Sequence, residues 1–369
     1  MVAATFMSCH PSEARDLHVA ANCRSLASLG MTKSVELRSD ASGRISMILV
    51  FCGTPRFAVP TLERLVEAGH SVPLVVTQPD RPRGRGMDVA VSPVKGAATR
   101  LGIAVLQPGS IKNNAEFRDQ LTAIAPDAVV DAIIVVGYGR IIPRWMIDLP
   151  RLGNLNLHAS LLPKYRGAAP IQWAIANGES VTGVTTMRID AGLDTGDILM
   201  QREMAIGTED TAETLGPKLA SIGADLMVET LRGLETGQVR PTPQDHAQAT
   251  LAPILKKEDG RMDFSRSARE LFNRLRGFQP WPGAFTTFKG KTLQVHRAQP
   301  WLDAVTLKPG EITVEGTRLL VGCGMGKDKH KDTATALELI EIQLEGKRRM
   351  TAQEFINGYR PKSGDHLGQ

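Results

Sequence analysis

The sequence predicts an α/β protein, a Rossmann-like, mostly parallel sheet with helices on both faces, followed by a small OB-like β-barrel. Three observations carry this. From Met47 onward, apolar strand-like runs alternate with amphipathic helical segments, the βαβ signature of a parallel sheet. The stretch 236–255 then breaks both periods with Pro241, Pro243 and Pro253. Beyond it come short strands with glycine turns and a basic excess, the pattern of a small barrel.

The chain's 369 residues leave room for two or three domains, and 42% hydrophobic with 22% charged residues is a globular composition. No apolar run reaches the roughly 18 residues that span a bilayer, so no membrane partner is expected. Cys9, Cys23, Cys52 and Cys323 are scattered, without Cys-x-x-Cys or Cys/His spacing. That pattern predicts a reducing, cytoplasmic setting with neither disulfides nor a metal site. The net charge of +5 is uneven: residues 254–369 hold 20 Lys and Arg against 14 Asp and Glu, whereas 47–253 hold 19 against 21. A separate basic module suits a polyanion, nucleic acid first, and fits a merely basic soluble domain equally well.

Residues 1–46 follow no sustained period and lack a secretory apolar core. Arg15, Arg24, Arg38 and Arg44 hint at a transit peptide, but Glu13, Asp16, Glu36 and Asp40 offset them. A disordered extension, translated from an upstream start codon, is expected. Residues 47–53 form a buried strand ending in a tight turn at Gly53, Thr54 and Pro55. The segment 58–68 has helical spacing, with Val59, Leu62, Leu65 and Val66 on one face, and 71–77 is the next strand. The single glycine of the first turn is no dinucleotide fingerprint.

Residues 78–86 carry Arg81, Arg83 and Arg85 among prolines and glycines and are expected to form an exposed loop able to meet phosphates. Helices follow near 94–100 and 113–124, with a strand at 104–106 between them. The β-rich run 128–136 contains Asp131, a carboxylate that a doubly covered strand accepts only with partners, so a break or bulge is expected there. A short helix holds Trp145 and Met146.

The stretch 154–170 alternates as a strand and then enters a Pro/Arg/Gly loop. Residues two apart in a strand share a face, so Asn156 and His158 project together. Pro170 starts a helix to 177. Residues 181–188 form a strand leading to a rigid turn with Asp190, Gly192, Asp194, Gly196 and Asp197, which lacks the ligand pattern of an EF-hand. A long helix covers 211–234. After the linker come a basic amphipathic helix at 267–276 and a Pro/aromatic corner at 277–283. Strands are expected at 284–288, 292–297, 311–314, 319–321 and 336–343. Lys327, Lys329, His330 and Lys331 make one cationic loop, and Lys347, Arg348 and Arg349 a second.

An isolated Asn-x-His fits a capped strand edge. With Asp194 it becomes more, because parallel α/β sheets carry their sites beyond the carboxyl ends of the strands. A preorganised amide donor to a developing oxyanion is worth about 3–4 kcal/mol. An imidazole donates or moves a proton near neutral pH, and a carboxylate orients it or takes a proton from an attacking amine. No Ser or Cys nucleophile accompanies the three, which favours direct transfer.

Gly53-Thr54-Pro55, Gln78-Pro79-Asp80-Arg81-Pro82, Asn156-Leu157-His158, Ser160-Leu161-Leu162-Pro163, Arg166-Gly167-Ala168-Ala169-Pro170 and Gly192-Leu193-Asp194-Thr195-Gly196-Asp197 together resemble the folate-dependent formyltransferase family, in the family's order. Within that family the set is most similar to the methionyl-tRNA formyltransferases, and the Gln279-Pro280-Trp281-Pro282-Gly283 corner agrees. The resemblance covers roughly residues 47–359. It implies transfer of the formyl group of 10-formyl-tetrahydrofolate to the α-amine of methionine on initiator methionyl-tRNA, for translation initiation, by a monomer without a metal.

By the same resemblance, Asn156 and His158 would stabilise the oxyanion, and Asp194 would orient His158 and help remove the proton. Ser160, Leu161, Leu162 and Pro163 would contact the folate, and Arg81, Arg83, Arg85, Lys327 and Lys329 the tRNA. The implied division is an extension over 1–46, a catalytic domain over 47–235, a linker over 236–255, an OB-like tRNA-binding domain over 256–360 and a tail over 361–369. The chain departs from the family pattern in extra residues around Asp131, and in Met87 and Asp88 where lysines are common. Formyltransferases acting on glycinamide ribonucleotide or on nucleotide-linked amino sugars share the trio, and the basic barrel favours the tRNA enzyme. A nucleic-acid-binding protein that has lost catalysis is disfavoured by the intact trio.

Overall fold

The computed structural model describes residues 46–83, 88–124, 129–301, 303, 305–328 and 331–368. Apart from Ser46, the expected N-terminal extension lies outside them, and so do Arg85, Lys329 and His330.

The first domain runs β1 (Ile48–Gly53), α1 (Val59–Glu67), β2 (Ser71–Val76), β3 (Arg81–Arg83), β4 (Asp88–Ala90), α2 (Pro93–Arg100), β5 (Ala104–Leu106), α3 (Ala115–Thr122), β6 (Ala132–Val136), α4 (Arg144–Ile147), β7 (Asn154–His158), α5 (Pro170–Ala176), β8 (Val181–Arg188), β9 (Ile198–Ala205) and α6 (Ala212–Glu235). Seven strands form one sheet in the order β5-β2-β1-β6-β7-β8-β9. Pairing is parallel from β5 through β7, and β8 and β9 add antiparallel.

Every residue of β1 is buried, as a strand covered on both faces requires. Its alternate residues feed two cores. Leu49 and Phe51 pack with Leu62, Leu65, Leu219 and Leu226 beneath α1 and α6. Val50 and Cys52 pack with Phe117, Leu121 and Met146 beneath α3 and α4. Helices therefore cover both faces, as the sequence predicts.

Two local expectations change and a third holds. Strand β9 escapes the sequence reading because it follows directly on the Asp/Gly turn and is mostly half-buried, with Gln201, Glu203 and Ala205 exposed at alternate positions. The arginine segment is not simply a loop: β3 and β4 form a two-stranded ribbon pairing Arg81 with Ala90 and Arg83 with Asp88. A ribbon without a central strand tolerates Pro82. At Asp131 the break is real, since β6 begins only at Ala132. The Asp131 carboxylate accepts the Ile48 N–H at 2.9 Å and the Arg151 guanidinium at 2.8 Å, which supplies the partners that a carboxylate at this depth needs.

The second domain contains α7 (Ala268–Gly277), β10 (Ala284–Phe288), β11 (Lys291–Trp301), β12 (Ile312–Glu315), β13 (Arg318–Asp328), β14 (Lys331–Leu344), β15 (Met350–Thr351) and α8 (Ala352–Tyr359). Its six-stranded antiparallel sheet has the order β10-β11-β14-β13-β12, with β15 on β14. Register shifts within β11–β14 and β13–β14 curl it into a barrel-like shape around Leu293, Val295, Leu319, Leu337 and Phe355. Three of its strands, β11, β13 and β14, are longer than expected. Of the expected cationic loop, Lys327 lies on β13 and Lys331 opens β14, so both are strand residues. The expected tail is stitched back: Leu367 is buried and bridges Phe288, and His366 bridges Glu311.

The domains meet through α7 and α5. Trp173 packs edge-on to Phe278 at 5.3 Å, and Arg274 lies over the Phe278 ring at 4.8 Å. Gly277 allows the close approach, since a Cβ there would sit 2.6 Å from the Gln172 carbonyl oxygen. Arg276 reaches across to the carbonyls of Gly207 and Asp210, at 3.2 and 2.7 Å.

Candidate active site

The site is built on the carboxyl end of β7. Asn156 pairs with Val135 on one side and Met187 on the other, and His158 pairs with Thr185. The buried Asn154 fixes the start of the strand by donating to the Met146 and Ile147 carbonyls at 2.9 and 3.0 Å. Asn156 is half-buried, and its amide has no hydrogen-bond partner among the described residues. A half-buried amide without a protein partner, next to a buried histidine, is open to a ligand.

The His158 ring is buried, with Nε2 2.8 Å from the Tyr165 carbonyl oxygen. A carbonyl only accepts, so Nε2 carries a proton, an assignment that follows from the bonding network. Nδ1 then faces Asp194, whose Oδ2 lies 3.7 Å away. The same Oδ2 accepts the Gly167 N–H at 2.8 Å. The ring is thus oriented by Tyr165, while Asp194 sits beside Nδ1 at more than hydrogen-bond distance. Tyr165 and Asp194 both adopt positive φ, 61° and 50°, which non-glycine residues rarely do.

Residues 160–163 form the wall beyond β7. Ser160 Oγ donates to the Lys164 carbonyl at 2.6 Å, and Thr185 Oγ1 donates to the Ser160 carbonyl at 2.6 Å. Leu162 N–H donates to Thr185 Oγ1, and the Leu162 carbonyl accepts from Gln201 Nε2 at 2.9 Å. Ser160 and Leu162 are therefore buried and committed to the protein, leaving Leu161 and Pro163 half-exposed. Ser160 is not free to act as a nucleophile. Cys52 is fully buried in β1, where burial pushes its thiol far up.

The structure brings Asn156, His158 and Asp194 to one place, next to 160–163. It sets Arg81 and Arg83 on β3 of the first domain and Lys327 on β13 of the second. Sequence reasoning missed Tyr165, Thr185 and Gln201. It also missed Gln244, in the interdomain segment, which donates to the Asp194 and Gly196 carbonyls. These contacts run through backbone carbonyls and leave no side-chain motif to find. Among the described residues, no group of three or more His, Cys, Asp or Glu could hold a metal ion, and no helix is long and apolar enough to cross a membrane.

A doubly covered α/β sheet with an amide, an imidazole and a carboxylate at its carboxyl edge suits group transfer, and the chain matches a transferase family. The family comparisons are specific. Residues 46–231 match the formyl transferase family and residues 254–360 the formyl transferase C-terminal domain, and the chain belongs to this family. It is 68% identical to the methionyl-tRNA formyltransferase of Koribacter versatilis (strain Ellin345) over 323 residues, covering 88% of this chain and 99% of that protein. It is 63% identical to the methionyl-tRNA formyltransferase of Acidobacterium capsulatum over 312 residues, covering 85% of this chain and 96% of that protein. Among solved structures, the N-formyltransferase from Helicobacter canadensis in complex with folinic acid and dTDP-3-aminofucose shares the fold, with a TM-score of 0.58 and 18% identity over 79% of this chain and 98% of that one. HypX from Aquifex aeolicus in complex with tetrahydrofolic acid gives a TM-score of 0.53 and 18% identity over 85% of this chain and 47% of that one.

Proposed function

We propose that this chain transfers the formyl group of 10-formyl-tetrahydrofolate to the α-amine of methionine on initiator methionyl-tRNA, as a cytoplasmic monomer. One observation carries the chemistry: the unpartnered Asn156 amide shares a strand face with His158, whose Nδ1 faces Asp194 Oδ2 at 3.7 Å. The choice of acceptor rests on the 68% identity to a methionyl-tRNA formyltransferase along 99% of its length.

The residues present fit a folate formyl donor. Asn156 offers free N–H groups, and Leu161 and Pro163 offer a half-exposed apolar wall beside it. The folate supplies the formyl carbon. The amine attacks that carbon, the bond from carbon to N10 breaks, and the departing N10 takes up one proton in place of the one the amine loses.

Asn156 donates to the oxyanion of the tetrahedral intermediate, a contact worth about 3–4 kcal/mol when preorganised. His158 donates through Nδ1, which requires the imidazolium form because Nε2–H is held by Tyr165. Asp194 offsets that charge and takes part in removing the amine proton, its carboxylate steadied by the Gly167 N–H. Arg81, Arg83, Arg85, Lys327 and Lys329 are the cationic residues that meet the tRNA phosphates.

The test is incubation of the folded protein with formyl-labelled 10-formyl-tetrahydrofolate and methionyl initiator tRNA. Label appears on the methionine amine. Its absence rejects the proposal.

A further inference from the structure

The interdomain segment does more than join two domains. It crosses the site loops on both sides. Thr242 exchanges two hydrogen bonds with Ile198, each 2.8 Å. Thr250 Oγ1 accepts the Tyr165 N–H at 2.9 Å, and the Thr250 carbonyl accepts the Arg166 N–H at 2.9 Å. Ala252 donates to the Arg166 carbonyl at 2.7 Å, and Trp173 Nε1 donates to the Pro253 carbonyl at 2.9 Å. Gly167 leaves room for this path, since a Cβ there would lie 2.7 Å from the Ala252 carbonyl oxygen.

Between these tethers Gln244 is buried, and its amide makes four hydrogen bonds. Oε1 accepts from Arg166 Nε at 3.1 Å and from Nη2 at 2.6 Å. Nε2 donates to the carbonyls of Asp194 at 3.0 Å and Gly196 at 2.6 Å. The amide cannot be turned over, because a guanidinium only donates and carbonyls only accept. Arg166 is buried too, and its Nη2 also meets His246 Nδ1 at 3.1 Å. Among the described residues it has no ion-pair partner, so Gln244 and His246 satisfy its buried N–H groups.

This arrangement acts on the residue that most needs it. Asp194 sits at φ 50°, a conformation that costs of order 1 kcal/mol or more and persists only where the surroundings over-determine it. The Gln244 amide grips the carbonyls of Asp194 and of Gly196 two residues on. The Asp194 side chain is thereby aimed at His158 Nδ1 and the Gly167 N–H. We infer that the interdomain segment is a working part of the active site: Gln244, locked by the buried Arg166, is a positioning residue that holds Asp194 in its catalytic orientation. The inference rests on the proposed role of Asp194.

The discriminating variant is Gln244→Glu. Glutamate keeps an oxygen for Arg166, as an ion pair, but replaces the two N–H donors with an acceptor facing the Asp194 and Gly196 carbonyls. With the full chain, methionyl initiator tRNA and 10-formyl-tetrahydrofolate, kcat falls at least tenfold. KM for both substrates stays within twofold, and the pH dependence of kcat changes shape. A smaller fall in kcat, a loss that appears in KM, or an unaltered pH profile overturns the inference. Should Gln244→Glu fail to fold, Gln244→Met, similar in volume and uncharged, is read by the same outcomes. Asp194→Asn separates the two levels. If it keeps parental kcat, the role of Asp194 falls and the inference with it. If it is inactive beside a fully active Gln244→Glu, the positioning role alone falls.

Discussion

Asp194 Oδ2 lies 3.7 Å from His158 Nδ1 and 2.8 Å from the Gly167 N–H, while the other nitrogen of the same ring is tied to the Tyr165 carbonyl at 2.8 Å. The carboxylate therefore lies on the Nδ1 side of the imidazole, and the orienting contact on Nε2 is a backbone oxygen. Asp194→Asn removes the charge but keeps an acceptor for Gly167. Because acid–base groups of this kind contribute about 10²–10⁴-fold, kcat should fall by at least about 10²-fold. The circular dichroism spectrum should stay parental. A loss confined to KM would contradict the assigned role.

Asn156 is the second test. Its amide has no partner among the described residues, so Asn156→Ala leaves no orphaned group behind. Thermal stability should barely change, while kcat drops by about 10²–10³-fold, the range for loss of one oxyanion donor. Steady-state kinetics beside a melting curve checks both halves, and a destabilised but active variant would refute it.

The base of the arginine ribbon makes a pH prediction. Asp80 immediately precedes β3, and its carboxyl is held below the usual carboxylate range, chiefly by the hydrogen bond from the Lys95 ammonium, with burial opposing and Gln107 adding a further donor. A depressed carboxyl contributes stability that is fully present above its unfolded pKa, about 4, and is lost as pH falls through the lower folded value. Asp80→Asn should therefore melt below the parent at neutral pH, and the gap should close as pH drops below about 4. A gap independent of pH would show that the ion pair is not its source.

Arg81 and Arg83 lie on the same strand of that ribbon. If both meet tRNA phosphates, the double substitution Arg81→Ala, Arg83→Ala should lower the slope of log affinity against log salt by about 1–2. It should leave formylation at saturating tRNA close to parental. Filter binding across a salt series measures the slope, and an unchanged value would remove these arginines from the interface.

Arg276 tests the seam between the domains. It is buried and donates to the Gly207 and Asp210 carbonyls and to Asn273. Arg276→Met keeps the aliphatic bulk and deletes these charged donors, which should cost about 3 kcal/mol in urea denaturation. A change under about 0.5 kcal/mol, the scale of an ordinary surface substitution, would show that the seam does not depend on it.

Much of this molecule was legible in its residues. The continuous apolar run of β1 and the alternation through Asn156 and His158 required a covered parallel sheet with a polar pair at its edge, because strand periodicity is local. The Asp/Gly turn around Asp194 was visible as a local cluster of residue types, and Gly196 is required there because a Cβ would collide with the Arg188 carbonyl. Strand β9 and the β3–β4 ribbon were not legible. Their residues are half-exposed or proline-bearing, and only pairing with neighbouring strands makes them strands.

By itself, then, the sequence determined which side chains could do the chemistry and on which kind of sheet. Tertiary structure decided how they are held. The Tyr165 carbonyl selects the His158 tautomer, Thr185 and Gln201 lock 160–163, and a linker glutamine grips the loop of Asp194. Apart from the short step from Tyr165 to His158, these contacts join segments distant in sequence, and all run through backbone oxygens, which every residue type carries. Residue identity is silent about such contacts, and only the folded path of the chain brings them together.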